Sequence, residues 1–451
     1  MRWSTIPLLA LVLASVGCGG PAETDATVVA IPGLNVAYLS MNNRTPPFDD
    51  ERVRQAVAFA LDKDRIIQAA YAGRAIPAET PMPPTLPFHH GGLTPRARDV
   101  ARSKQLIQEA GHALPLAVTL SHGNNSRPYM PLPEEVAKQV AGDLEEAGFK
   151  VTIRKEEWSN YLKIVQNGEH QMALLGWSAD VADADNFLYV LLDKNNARVG
   201  DANNISFYTS EEVHQRLMKA RQTADEALRA RLYREAQEII HRDVPMVPLV
   251  YTEKMIAHRA AFGPLTVEPV THPLLRLVET PVDGRLTFVR GTDSVKLDPA
   301  TVTDGESSKV VEQIYDNLIR FKAGTAEVEP ALATSWTQSD DGRTWTFAIR
   351  EGVEFHDGTP LDAAAVVNAF ERQRDSNHPH HFDEHQYAYW LDLFGFVEKV
   401  EAGAEPMTVV FRCSEPAPPF FLQGLAVFAM GIPSPTALEK HGAAFARHPV
   451  G

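Results

Sequence analysis

The sequence predicts an α/β protein built in two parts of different texture, and three observations carry this. Between residues 27 and 257, short apolar or alternating runs exchange with runs whose apolar residues recur at 3–4 spacing, as strand–helix units do. From Leu286 onward strand-like runs dominate (RLTFVRG, TWTFAIR and TVVFRC), broken by turns such as Asp340-Asp341-Gly342. A length of 451 residues with 44% hydrophobic and 22% charged content is enough for two or three buried cores.

The elements follow in order. Met1 to Gly20 has Arg2 before an apolar run from Ile6 to Val16, with small residues after it, the layout of a secretory leader over residues 1–17. The run is too short to span a membrane. Cys18 stands where signals of bacterial lipoproteins place their lipidated cysteine, which the segment resembles although Ser15 departs from the pattern. Residues 18–26 read as a tether. TVVAIPGLNVAYLSMN gives two strands around Pro32-Gly33, and Asp49-Asp50 caps a helix over ERVRQAVAFAL. A helix ending at Gly73, a Pro-rich loop over 76–95, and a helix near 96–110 come next. Strand 115–121, helix 133–147, strand KVTIRK, helix NYLKIVQNG and strand HQMALLGW then suggest a largely parallel sheet, closed by one long helix near 211–242.

Composition excludes several functions. With 43 basic and 58 acidic residues the net charge is −15, against a nucleic-acid face or a polybasic membrane patch. Two cysteines exclude a disulfide scaffold, and Cys413 reads as a small buried hydrophobe. No phosphate-cradling loop, GxGxxG, HExxH, GxSxG or CxxC is present, so no catalytic residues are singled out and no cofactor is expected.

Four stretches resemble the extracellular solute-binding proteins of family 5, the receptors of peptide ABC importers. They are PALATSWTQSDDGRTWTFAIREGVEFHDGTPLDAAAVVNAFER (330–372), PGLNVAYLSMNNRTPPFDDERVRQAVAFALDKDRII (32–67), GEHQMALLGWSADVADADNF (168–187) and LYREAQEIIHRDVPMVPL (232–249). The resemblance implies a two-lobed, hinged clam-shell of the periplasmic-binding-protein type, each lobe a mixed sheet with flanking helices. It also implies a circularly permuted order, joined near 279–285, that lacks an internal segment. On this reading 27–35 is a hinge strand of lobe I, 36–257 is lobe II, and 258–451 is an incomplete lobe I, with hinges near 27–36 and 255–263. The implied protein is a monomer in the periplasm or on the cell surface, anchored by lipid at Cys18. It captures short peptides and passes them to an inner-membrane ABC permease.

A dipeptide carries an ammonium and a carboxylate, and a buried site must answer both. Asp180 follows the apolar strand MALLGW and Arg127 follows another strand. By resemblance, Asp180 matches the acid that takes the peptide's amino terminus, and Arg127 the arginine that takes its carboxylate. Read alone, either is a solvated loop charge. Tyr129, Trp177, Tyr387, Tyr389 and Trp390 are candidate pocket walls, and loop 292–305 is placed opposite on position alone. The tract HPHHFDEH, with His378, His380, His381 and His385, leaves a nickel or haem carrier open as an alternative to an exposed loop. A secreted peptidase is the alternative from another class, without a visible nucleophile.

Overall fold

The computed structural model describes residues 26–223, 225–263, 265–279, 284–382 and 387–451. The leader, most of the tether, Cys18 and His385 lie outside the described residues. In chain order the first unit contains β1 (Ala26–Pro32), β2 (Asn35–Met41), α1 (Glu51–Ala60), α2 (Lys63–Tyr71), β3 (Ala75–Pro77), α3 (Val100–Glu109) and β4 (Leu116–Gly123). It continues through α4 (Pro133–Glu146), β5 (Phe149–Glu156), α5 (Trp158–Asn167), β6 (Met172–Ser178), α6 (Asp185–Leu192), α7 (Glu211–Arg221), α8 (Glu226–Asp243) and β7 (Met246–Arg259). The second contains α9 (Gly305–Ile314), β8 (Ile319–Phe321), β9 (Val328–Pro330), β10 (Ala333–Gln338), β11 (Thr344–Ile349), α10 (Ala363–Arg374), α11 (Ala388–Phe394), β12 (Val397–Ala402), β13 (Thr408–Cys413), α12 (Phe421–Leu425) and α13 (Pro435–His441).

Local chemistry sets many of these starts. The carboxylates of Asp50, Asp62, Asp99 and Asp225 accept backbone N–H bonds at the first turns of α1, α2, α3 and α8. Between α7 and α8 the expected continuous helix is broken: α7 ends at its cap Gln222 and Asp225 recaps the chain. The two helices pack against each other instead of forming one rod.

The first unit is a three-layer sandwich. Its seven-stranded sheet runs β1-β7-β2-β6-β4-β5, with β3 on β7. All seven residues of β2 are buried, because alternate residues serve opposite faces. Ala37, Leu39 and Met41 meet α1 to α4 in one core, while Val36 and Tyr38 meet α5 to α8 in the other. The expectation of a largely parallel sheet is corrected: only β4–β5 and β4–β6 pair parallel, and the other pairs are antiparallel. β1, read from the sequence as a hinge strand, pairs along its whole length with the outer half of β7, from Ala26↔Arg259 to Pro32↔Glu253.

The second unit centres on an antiparallel sheet, β10-β11-β13-β12, with β8 and β9 as a separate pair. Edge-on aromatic contacts fill it: Phe411 meets Phe347, Phe370 and Phe421 at centroid distances of 5.5, 5.0 and 5.8 Å. Cys413 is buried on β13, and burial pushes its thiol up to about 12, so it behaves as a hydrophobe. RLTFVRG forms no strand: residues 284–290 find no neighbouring strand, and Val289 is 83% exposed. Loop 292–305 is pinned from below. Its Asp298 forms a two-pronged pair with Arg372 of α10, one arm at 3.0 Å, with both side chains wholly buried.

A buried arginine without its carboxylate is costly, on the order of 3–5 kcal/mol. Asp298→Ala is therefore expected to move the unfolding transition of this unit to clearly lower urea. An unchanged midpoint would show that the pair does not hold the loop.

Candidate functional site

Three parallel strands deliver their loops to one edge of the sheet. β4 pairs with β5 from Leu116↔Phe149 to Gly123↔Glu156, and with β6 at Leu120↔Met172 through His122↔Leu174. Their carboxyl ends therefore open on the same side, where open α/β sheets bind ligands. The segment after β6 carries Asp180, the loop after β4 carries Arg127, and the helix start after β5 carries Trp158.

Glycine allows these parts to meet. A Cβ on Gly176 of β6 would lie 2.2 Å from the Tyr129 ring and 2.5 Å from the Val36 carbonyl oxygen, so the ring of Tyr129 rests directly on the strand leading to Asp180. A Cβ on Gly123 would lie 2.7 Å from the Trp158 ring, which covers the end of β4. The Arg127 guanidinium sits over that indole, 3.7 Å from the ring centroid. Reciprocal backbone bonds between Arg127 and Met130, of 3.1 and 2.9 Å, close the loop. Thr252 Oγ1 donates to the Pro128 carbonyl and Tyr71 Oη to that of Tyr129, each at 3.1 Å. Arg127 Nε is buried with no hydrogen-bond partner, and no ion pair holds the guanidinium among the described residues.

Asp180 is half-buried where the two units meet. Its N–H donates to Asn186 Oδ1 at 3.0 Å, and the same oxygen accepts from Trp177 Nε1 at 3.1 Å. From the second unit Tyr389 Oη donates to Asp180 Oδ1 at 3.0 Å. Burial pushes the Asp180 carboxyl up to about 6, against the bonds from Tyr389 and Asn186, and Asp392 adds to the rise. No cation pairs with it among the described residues. Its acidic neighbours on the same loop do have cations: Arg229 bonds both oxygens of Asp183 at 2.9 Å, and Arg221 lies 3.1 Å from Asp185.

The loop is anchored on both sides. Ala179, Ala182 and Ala184 belong to a core of the first unit, whereas Val181 is buried in the core of the second. The Ala182 N–H reaches across to Gln423 Oε1 at 2.6 Å.

Of the expected wall residues, Tyr129, Trp177 and Tyr389 stand beside the two charges. Tyr387 and Trp390 do not: both are buried in the second unit's core, Tyr387 against His381 and Trp390 between Phe370 and Phe394. Loop 292–305 is likewise buried around Pro299 to Thr301. The His tract is engaged with its own surroundings: His380 meets Asn368 and Glu439, and His381 Nδ1 lies 2.8 Å from the Arg372 carbonyl. Among the described residues no three His, Cys, Asp or Glu side chains converge as a metal set. Trp158, Asn186 and Gln423 escaped the sequence reading. The signal for Trp158 was present: an aromatic directly after a strand, next in the sheet to the one carrying Arg127.

The contact between Tyr129 and Gly176 is testable. Gly176→Ala forces a methyl into the Val36 carbonyl and the ring, and overpacking of this kind costs about 1–3 kcal/mol. A lowered melting temperature is the expected result; an unchanged one would deny the contact.

A family model described as bacterial extracellular solute-binding proteins, family 5 Middle, matches residues 21–198 and 327–451. The dipeptide-binding protein of Escherichia coli (strain K12) is 33% identical over 246 residues, covering 54% of this chain and 44% of the relative. Heme-binding protein A of Haemophilus influenzae is 35% identical over 246 residues, covering 54% and 43%. The chain thus spans under half the length of these curated relatives. Among solved structures, the dipeptide binding protein from Pseudoalteromonas sp. SM9913 in complex with Met-Leu superposes with a TM-score of 0.53 at 29% identity, over 57% of this chain and 50% of that one.

Proposed function

Because this chain belongs to the bacterial extracellular solute-binding proteins of family 5, we propose that it is an extracytoplasmic receptor that captures short peptides, dipeptides foremost, for an ABC-type permease. The observation that carries the reading is a pair of opposite charges without ion-pair partners among the described residues, at one edge of the sheet. Asp180 accepts the peptide ammonium and Arg127 donates to its carboxylate. A zwitterion satisfies both, and each contact offsets the desolvation cost of an unpaired charge. Trp158 holds the guanidinium plane from below, so the arginine presents its edge to the ligand. Support comes from the likeness to the two dipeptide-binding proteins. Closure of the two units on the ligand, with β1 and the outer half of β7 as the connecting strands, makes the form that a permease recognises. Lipid attachment at Cys18 belongs to the same reading and draws on the leader alone.

Charge-assisted hydrogen bonds contribute roughly 1.5–3 kcal/mol each, so Asp180→Ala or Arg127→Ala is expected to weaken dipeptide binding at least about tenfold in calorimetric titration. Wild-type affinity in either variant removes that residue from the site.

The pH dependence has a definite sign. The folded-state pKa of Asp180 is raised to about 6, so between the ordinary carboxylate range and pH 6 the folded form holds a proton that the unfolded chain has released. The ligand-free protein loses stability as pH rises through that window. An ammonium binds the charged form, so dipeptide affinity is expected to fall about tenfold per unit as pH drops below 6. Affinity independent of pH from 7 to 5 would exclude Asp180 as the ammonium acceptor. A haem carrier is the second reading, favoured by the Haemophilus influenzae relative; haemin displacing a bound dipeptide would support it.

A further inference from the structure

We propose that Lys254 and Glu312 form a hinge lock: one from each unit, they grip the two ends of a single peptide group and so set the balance between closed and open arrangements. This rests on the reading that the two units close on a ligand, and it identifies what holds them when none is bound. Residues 265–279 form a strap that follows β7 and runs beside α9. Glu312 Oε2 accepts from the His272 N–H at 2.8 Å, and His272 Nε2 meets Ser308 Oγ at 2.8 Å. Gln313 accepts from the Leu275 N–H at 3.0 Å and donates to the Pro273 carbonyl at 3.1 Å. Glu268 Oε2 accepts from the Gly324 N–H at 2.8 Å. These bonds tie the strap to the second unit. Its charged tie to the first is Lys254 of β7, whose Nζ donates to the Thr271 carbonyl.

The Thr271 carbonyl and the His272 N–H belong to one peptide group. A cation of the first unit therefore bonds its oxygen while an anion of the second takes its hydrogen, and each bond polarises the other. Burial pushes the Lys254 ammonium down to about 8, against Glu312 and Glu268. Burial pushes Glu312 up to about 7, against the His272 N–H and Lys254, with Glu268 adding to the rise. His272 is pushed down to about 3 by burial, with Lys254 and Lys309 adding to the fall, so its ring is neutral. The charges that act on this peptide are thus those of the lysine and the glutamate, in surroundings where a charged hydrogen bond is strong.

Lys254 stands in the outer half of β7, opposite Ile31 of β1. A rotation that carries the strap along with α9 pulls the Thr271 carbonyl away from it. The bond is made in the arrangement seen here, in which Tyr389 and Gln423 of the second unit reach the loop after β6. The lock therefore favours the closed side without touching a ligand, and it raises affinity for every ligand alike by raising the competent fraction.

The test combines small-angle scattering of the ligand-free chain with calorimetric titration by Ala-Ala and Phe-Phe, for wild type, Lys254→Met, Glu312→Gln and the double variant. Lys254→Met is expected to show a larger radius of gyration than wild type when empty and the same radius when saturated with dipeptide. Its affinity is expected to fall about tenfold, by the same factor for both peptides, as loss of one charged hydrogen bond requires. Glu312→Gln keeps the shape and an acceptor for the His272 N–H, so a fall of about fivefold in the same direction is expected. The double variant should lose no more than Lys254→Met alone, because the two side chains act on one peptide group. An empty Lys254→Met protein with the wild-type radius and affinity overturns the lock, and so do losses that simply add in the double variant. Should Lys254→Met fail to fold, a wild-type radius and affinity in the isosteric Glu312→Gln is sufficient to overturn it. If wild type itself binds neither dipeptide, the reading of the ligand fails, and the radii of the empty proteins still decide the lock.

Discussion

The segment from Ser178 to Asp185 has to satisfy two hydrophobic cores at once, and the site follows from that constraint. Three alanines pack into the first unit and Val181 into the second, so the residue between them cannot leave the boundary without emptying one core. A buried valine side chain is worth about 1.5–3 kcal/mol. That is comparable to the penalty of holding a carboxylate where burial has already raised its pKa. Asp183 and Asp185 are relieved by arginines from the packed pair α7 and α8. Asp180 is relieved only by neutral donors. The loop is thus rigid because its neighbours are paired, and reactive toward cations because Asp180 is not.

Glycine does comparable work on the other charge. At Gly176 and Gly123 the missing side chain lets an aromatic ring lie on the strand, and one of those rings then carries the guanidinium. Stacking leaves the donor edge of an arginine free, which a salt bridge would not. Two different solutions, neutral hydrogen bonds at one end and a ring face at the other, fix the orientation of each charge without cancelling it.

Much of this was legible in the sequence, for reasons that also explain what was not. The Asp49-Asp50 cap placed the start of α1 and Gly73 the end of α2, because such signals act within a few residues. Strand direction is a different matter: a buried run such as MALLGW looks the same whether its neighbour is parallel or antiparallel, so the mixed sheet was invisible. The charged surface of residues 211–242 hid a break that depends on two helices having a partner in each other. RLTFVRG has the alternation of a strand and finds no strand to pair with. The pairing of β1 along the outer half of β7 was not legible, since it is a matter of register. Asp180 and Arg127 emerged only through motif context, while Asn186 matters through contacts that spacing does not encode. Tyr387 stands just before α11 and Tyr389 and Trp390 in its first turn, and facing alone decides that Tyr389 reaches Asp180.

The electrostatics of the whole chain do not oppose the proposed class of ligand. A net charge of −15 would concentrate cations around the protein and repel anions, yet beyond about a Debye length of 8–10 Å this field is screened. A dipeptide zwitterion has no net charge, so the field neither steers nor repels it. Its binding energy must come from contacts that see each end separately. On the proposed reading Asp180 and Arg127 provide those contacts, and neither has an ion-pair partner among the described residues. A simple cation would meet Asp180 and leave Arg127 unanswered; a simple anion would do the reverse, against the overall charge. On the proposed reading a ligand carrying both signs answers both residues.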